Sequence, residues 1–178
     1  MQEIIFMYTQ YIKQTNETVV SLLNCISHEE REKDRGSFYG GLSELVRHIL
    51  GGTIYFHSLF RDSLPAKVKA LKALDASRDI VEIPEKAITE EQWEHLTSAL
   101  AVVDHATINF ASRLTEKDLK LPVKLDWYGG KPPSVPLFFL FHQLIVHVIH
   151  HQGQISQILD EMEIDHDFSG INIAFMPQ

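Results

Sequence analysis

Apolar positions recur along this chain at alternating steps of three and four, the signature of helices with one buried face. In the first such stretch Ile5, Tyr8, Ile12, Thr15, Val19, Leu22 and Ile26 share a stripe. The second, roughly residues 41–61, carries Leu45, His48, Gly52, Tyr55, Phe56 and Leu59 on one side. The third is the most regular, with Trp93, Leu96, Leu100, Val103, Thr107, Phe110 and Leu114 in line. It opens on Thr89 with Gln92 three residues later, a capping box able to satisfy orphan amides at a helix start. In the fourth, Leu137, Leu140, Leu144, His147, Val148, His151, Ile155 and Ile158 fall on one face. Ser134 is placed to cap that helix, and Pro136 is tolerated in its first turn. The pattern predicts an all-α four-helix bundle with core helices near residues 2–26, 38–61, 89–114 and 135–161.

The connections are uneven. Residues 28–37 are short and charged. Residues 62–88 are long, with Pro65 and Pro84 as punctuation and room for a short helix near 66–74. That length allows one helix to cross to a non-neighbour. Residues 121–133 hold a β-like stretch at 123–127, followed by turn signals at Tyr128, Gly129 and Gly130 and at Pro132 and Pro133. Strands are therefore minor or absent. No internal repeat or low-complexity tract divides the chain, which reads as a single domain over residues 1–178.

Composition narrows the class. The chain has 178 residues, 44% apolar and 22% charged, ordinary values for a soluble globular protein with a sizeable core. A net charge of −8 with no basic cluster argues against nucleic acid and against an anionic membrane surface as partner. The lone cysteine, Cys25, excludes an internal disulfide and fits a reducing compartment. It reads as a small core residue at a helix end rather than a nucleophile. Met1 opens directly into an amphipathic segment with no leader pattern. The apolar run 135–149 is too short to span a membrane and is interrupted by His142, Gln143 and His147. A cytoplasmic location is expected.

The candidate chemistry lies in the histidines. His147 and His151 are four apart on the core stripe of the last helix, hence one turn apart on one face. Buried imidazoles without partners cost about 1–3 kcal/mol each. Either they share a metal ion, or each bonds to nearby backbone or carboxylates. A third ligand would come from His48 on the stripe of the second helix. Gly52, one turn on, leaves room beside it, although close helix packing explains the glycine equally well. His57 faces elsewhere, with Leu50, Thr53, Ile54 and Arg61. His150 lies on a more polar face with Gln143, Gln154 and Gln157, and His142 reads as a core or supporting residue. His28, His95, His105 and His166 read as surface residues. Three imidazoles on two facing helices suit Zn, Ni, Cu or Fe and leave coordination positions open, the mark of a catalytic rather than a structural site. Glu44, one turn before His48, could orient its ring or could be an ordinary solvated carboxylate.

These segments resemble a known family. Residues 147–155, with two histidines four apart before a Gln-Gly-Gln stretch, resemble the closing-helix signature of the DinB/YfiT-like proteins. Residues 43–49 around His48 resemble the segment that carries that family's first metal histidine. Residues 115–119, the Tyr128–Gly130 turn and Pro136-Leu137 resemble its linker into the last helix, and residues 159–170 resemble its tail. Gln152 stands where an arginine is common, which bears on a substrate-anion or oligomer contact. The resemblance implies a four-helix bundle, a homodimer, and a divalent metal such as Zn²⁺ or Ni²⁺ on His48, His147 and His151. It implies no single reaction, since related proteins include thiol-dependent S-transferases and a thiol-adduct isomerase. The family's name refers to induction by DNA damage and says nothing of DNA contact.

Two classes of function follow. One is a metal-dependent enzyme, a thiol S-transferase or a hydrolase, taking a small thiol and an electrophile and suited to a stress response. The other is a non-catalytic, metal-stabilised dimeric bundle that binds a small ligand. No residue stands out as a general base, so the catalytic residues are unknown from sequence.

Overall fold

Each of the four apolar stripes folds as a helix. The computed structural model describes residues 1–80, 88–125, 129–168 and 170–171 of the chain. Among these the α-helices are, in chain order, α1 (Gln2–Leu23), α2 (His28–Glu32), α3 (Leu42–Ser63), α4 (Glu90–Arg113) and α5 (Leu137–Glu161). A 3₁₀ segment, Lys69–Ser77, fills the long connection after α3, and a short one, Asp118–Lys120, follows α4. Two three-residue strands, β1 (Pro122–Lys124) and β2 (Ser134–Pro136), pair antiparallel. The architecture is all-α. Pro84, Trp127, Tyr128 and Ser169, used in the sequence reading, lie outside the described residues.

The stripe of α4 is buried at every expected position, and its Thr89–Gln92 capping box is formed. The stripe of α5 is buried too, except that His147 is half-buried. α1 packs chiefly on α4, and α3 on α5. Phe60, Phe110 and Phe141, each at most 1% exposed, stack in parallel with centroids 5.7–5.9 Å apart. That stack joins α3, α4 and α5 through offset aromatic faces.

The turn between α1 and α2 is held by one buried cation. Arg31 donates to the carbonyls of Leu23 and Ile26, the frayed end of α1, at 3.1 and 2.9 Å. It also pairs with Glu90 at the start of α4 and lies 4.9 Å over the Trp93 ring. A cation at a helix C-terminus is favourable, and here it also ties α1 to α4.

Several expectations are corrected. Ser134 does not cap α5; it sits in β2, and α5 begins only after Pro136, with no side-chain cap. α3 starts at Leu42, because residues 37–40 form a turn before it. The charged segment after α1 contains a short helix of its own, capped by Ser27. Cys25 is exposed rather than a core residue, its thiol turned back to the Ser21 carbonyl at 3.4 Å. The buried face of α3 is rotated from the expected one. Val46, Ile49, Leu50, Thr53, Phe56, His57 and Phe60 face inward, and Tyr55 is exposed. Among the described residues no helix is long and apolar enough to cross a membrane.

Candidate metal centre

The rotation of α3 leaves His48 at the edge of its buried arc, facing α5. There it meets His147 and His151, which the i, i+4 spacing has already placed together. One ring nitrogen from each of the three lies within 4.8 Å of the others. His48 Nε2 is 3.0 Å from His147 Nε2. The ring centroids are 4.9, 4.4 and 4.5 Å apart for the pairs 48–147, 48–151 and 147–151. His48 and His147 are half-buried and His151 is 4% exposed, so the cluster lies at the rim of the core.

Gly52 makes this approach possible. A Cβ at that position would lie 2.3 Å from His147 Cε1, far inside any tolerated contact. The space that the sequence suggested beside His48 is filled by the His147 ring. Gly51, next to it, faces open space.

Burial keeps the cluster neutral. His48 is lowered to about 4, first by desolvation and then by the neighbouring His151 and Arg47. His147 is lowered to about 4 by desolvation and by the surrounding histidines 151, 48 and 150. His151 is lowered chiefly by desolvation, opposed by its bond to Gln154. That bond, from His151 Nδ1–H to Gln154 Oε1 at 2.6 Å, fixes the tautomer and leaves Nε2 as the lone pair of this ring. His147 Nδ1 is buried with no partner.

These features fit a divalent ion. Ligands arranged tetrahedrally about zinc at about 2.0–2.1 Å lie roughly 3.3 Å apart, close to the His48–His147 separation. Neutral imidazoles offer lone pairs without first releasing protons at pH 7. Without an ion, the facing Nε2 atoms must share one hydrogen, a poor use of two half-buried rings. The three histidines could therefore hold a metal ion.

The neighbouring residues divide clearly. Tyr39, which the sequence reading did not single out, reaches the cluster: its Oη is 3.0 Å from His48 Nε2. Glu44 does not orient His48; it turns to a cleft of about 350 Å³ lined also by Glu32, Asp34 and Gly40. Gln154, expected on a solvated face, is the partner of His151, because a residue three on reaches back along a helix. Gln152 points away from the histidines, toward α1. It is 2% exposed and donates to the Ile12 carbonyl at 3.1 Å and to Asn16 Oδ1 at 2.9 Å. Asn16 in turn donates to both carboxylate oxygens of the buried Asp104 at 3.1 and 3.0 Å.

His150 flanks the cluster, its ring centroid 4.9 Å from that of His151, and the other histidines are elsewhere. His142 is exposed rather than a core or supporting residue, and His28, His95, His105 and His150 are exposed as well. His57 faces away from the cluster, into the core, between Ser77 Oγ at 3.0 Å and Thr107 Oγ1 at 2.9 Å. His166 is not a surface residue. Its side chain is 3% exposed and pins the segment after α5 through Ser156 at 2.7 Å and the Ile164 carbonyl at 2.8 Å.

Compared with known proteins, the chain matches the DinB family over residues 1–162 of its 178. All three clustered histidines and the turn that carries Tyr39 fall within that span. No curated protein and no solved structure matches it.

Proposed function

The chain belongs to the DinB family, and on that premise we propose that it is a metal-dependent enzyme with His48, His147 and His151 as ligands. The ion proposed is divalent, Zn²⁺ or Ni²⁺, and the reaction is transfer of a small thiol to an electrophile. One observation carries the reading: three neutral imidazole nitrogens converge at the rim of the core rather than inside it. A divalent ion held there lowers the pKa of a thiol and presents it as thiolate. The net reaction forms a sulfur–carbon bond, expels the leaving group with its electron pair and releases the thiol proton to solvent.

The protein's residues supply position and environment. Gln154 holds His151 in the tautomer that aims Nε2 inward, and Gly52 lets the His147 ring approach α3. Desolvation lowers all three rings, His48 and His147 to about 4, which favours their neutral, metal-binding form at working pH. Among the described residues no carboxylate joins the cluster to act as a base for water, which favours thiol transfer over hydrolysis. Cys25 is exposed beyond the end of α1, so the thiol is an exogenous small molecule.

Metal analysis of the purified protein, followed by a thiol-conjugation screen with several electrophiles, tests this. One bound divalent ion per chain and turnover that vanishes in His147→Ala are expected. The variant should still fold, because the core is mostly hydrocarbon. Metal bound without any thiol transfer would leave the second reading, a non-catalytic metal-stabilised dimeric bundle. The Tyr39 hydroxyl beside His48 is the observation that favours it. Homodimerisation is part of the proposal. Phe139 and Val146, seven apart on α5, are 54% and 44% exposed and offer an apolar surface. Phe141, also on α5, is no part of that surface: it is buried in the aromatic stack. Sedimentation as a monomer at micromolar concentration would remove the dimer.

A further inference from the structure

The histidine cluster is walled by α3 and α5, and its remaining side is covered by a turn. Gly40 N–H donates to the Ser37 carbonyl at 3.1 Å and closes residues 37–40. Gly36 and Gly40 both have φ of +74°, a conformation that other residues rarely adopt. The base of the turn is fixed. Arg35 donates its backbone N–H to the Gly40 carbonyl at 3.4 Å, and its guanidinium holds Glu30 and the Lys33 carbonyl. The tip is not fixed by burial: Phe38 is 93% exposed.

Tyr39 hangs from this tip into the cluster. Its ring lies against His48, centroids 4.2 Å apart, and meets His151 edge-on at 5.3 Å. Its hydroxyl and His147 Nε2 both stand 3.0 Å from the same nitrogen, His48 Nε2. One imidazole nitrogen has either one hydrogen or one lone pair and cannot serve two neutral partners fully. The crowding of polar atoms around it is that of a coordination set, in which donor atoms sit about 3.3 Å from one another.

We propose that the Tyr39 hydroxyl is a displaceable fourth donor at the three-histidine centre, and that the turn 37–40 is the gate by which a small anion or thiolate reaches it. This rests on the metal reading above. A sealed centre would need a fourth donor from a rigid element. Here the donor is carried by a turn with an exposed tip, so withdrawing it gives up the contacts of the half-buried Tyr39 ring and leaves the helices in place. An incoming ligand replaces the hydroxyl at the open side, while the three histidines stay on their helices.

The full chain loaded with cobalt(II) reports on this through its visible spectrum, with azide as the probe. Azide should bind Tyr39→Phe at least about tenfold more tightly than the wild type, because nothing has to be displaced. Tyr39→Leu, which also lacks the hydroxyl, should tighten likewise, and both should bind cobalt with circular dichroism like that of the wild type. Equal azide affinity in Tyr39→Phe and the wild type would overturn the gate. Weaker azide binding in Tyr39→Phe would overturn it too, since it would make the hydroxyl a hydrogen-bond donor to the incoming ligand. If the wild type takes up no cobalt, the metal reading fails and the gate falls with it. If cobalt binds but azide does not discriminate, the gate alone falls.

Discussion

Replacing Gly52 by alanine should destroy the metal centre without destabilising the protein. The new Cβ would stand 2.3 Å from His147 Cε1, and 3.0 and 3.1 Å from the ring's two nitrogens. Ordinary contact begins near 3.4 Å, so the ring must retreat by about 1.1 Å or rotate away. Metal–ligand distances are held to within about 0.2 Å, so either response removes His147 as a ligand. Loss of a supporting contact alone costs roughly 10–100-fold in metal affinity, and loss of a ligand should exceed that. The effect on folding runs the other way. Alanine in mid-helix is favoured over glycine by about 0.8–1.0 kcal/mol, and an off-rotamer histidine costs about 0.5–1.5 kcal/mol. The two nearly cancel, and the metal-free Tm should stay within about 4 °C of the wild type. Gly51→Ala is the control. A Cβ there meets nothing within 4 Å, so it should raise Tm by about 2–4 °C and leave affinity unchanged. Competition for zinc against a chromophoric chelator, paired with thermal denaturation of the metal-free proteins, reads both quantities. Wild-type zinc affinity in Gly52→Ala would refute the placement of His147.

Two further predictions concern the core. Asp104 is raised to about 7, chiefly by burial, so its contribution is full below its ordinary 3.8 and is lost as pH rises through 7. His57, lowered to about 3 by burial, runs the opposite way: its contribution is full above 6.5 and is lost as pH falls. The two offset each other between about pH 4 and 6.5, and Asp104→Asn should expose the imbalance. The variant's unfolding free energy relative to wild type should fall by up to about 1.4 kcal/mol per pH unit toward acid, read by urea unfolding at several pH values; parallel profiles would contradict it. Phe141→Ala should cost about 3–5 kcal/mol, because it removes one of three mutually packed, fully buried rings, and a loss below about 1 kcal/mol by the same assay would mean that the stack is not a packing centre.

The helices were legible where one narrow face is buried. In α4 the three-and-four rhythm of large apolar residues picks out one stripe, and the structure buries it; in α5 it buries nearly all of the expected stripe and a second row beside it. α3 was harder because it touches α2, α4, α5, β1 and the Lys69–Ser77 segment. Its apolar arc is wide enough to contain two plausible stripes, and the one drawn through His48 and Tyr55 was off-centre. The same ambiguity hid the role of His57, which lies on the true inward face and is satisfied there by two hydroxyls from distant segments. Phe141 fell outside the expected stripe for a related reason: it lies one residue from the stripe residue Leu140, on a helix whose buried face is broader than a seam. The clustered histidines were legible because helical spacing alone brings two of them together. Tyr39 was not, because its approach depends on a turn set by two positive-φ glycines, and no periodicity encodes that.

His151 and Gln152 are neighbours that serve different sides of α5, about 100° apart on the helix. His151 faces α3 and the cluster, whereas Gln152 closes a chain of amides through Asn16 to Asp104, binding α1 and α4 to α5. The second arrangement is fully desolvated, so its bonds carry a large penalty if broken. The first sits at the rim, where a displaced imidazole can still find water. Stability and the proposed chemistry are thereby lodged in separate places. Substitutions at His48, His147 or Tyr39 can change what the centre binds while the amide chain and the phenylalanine stack keep the bundle closed. A substitution at Gln152 or Asn16 should loosen three helices at once and reach the centre only through that loss of order.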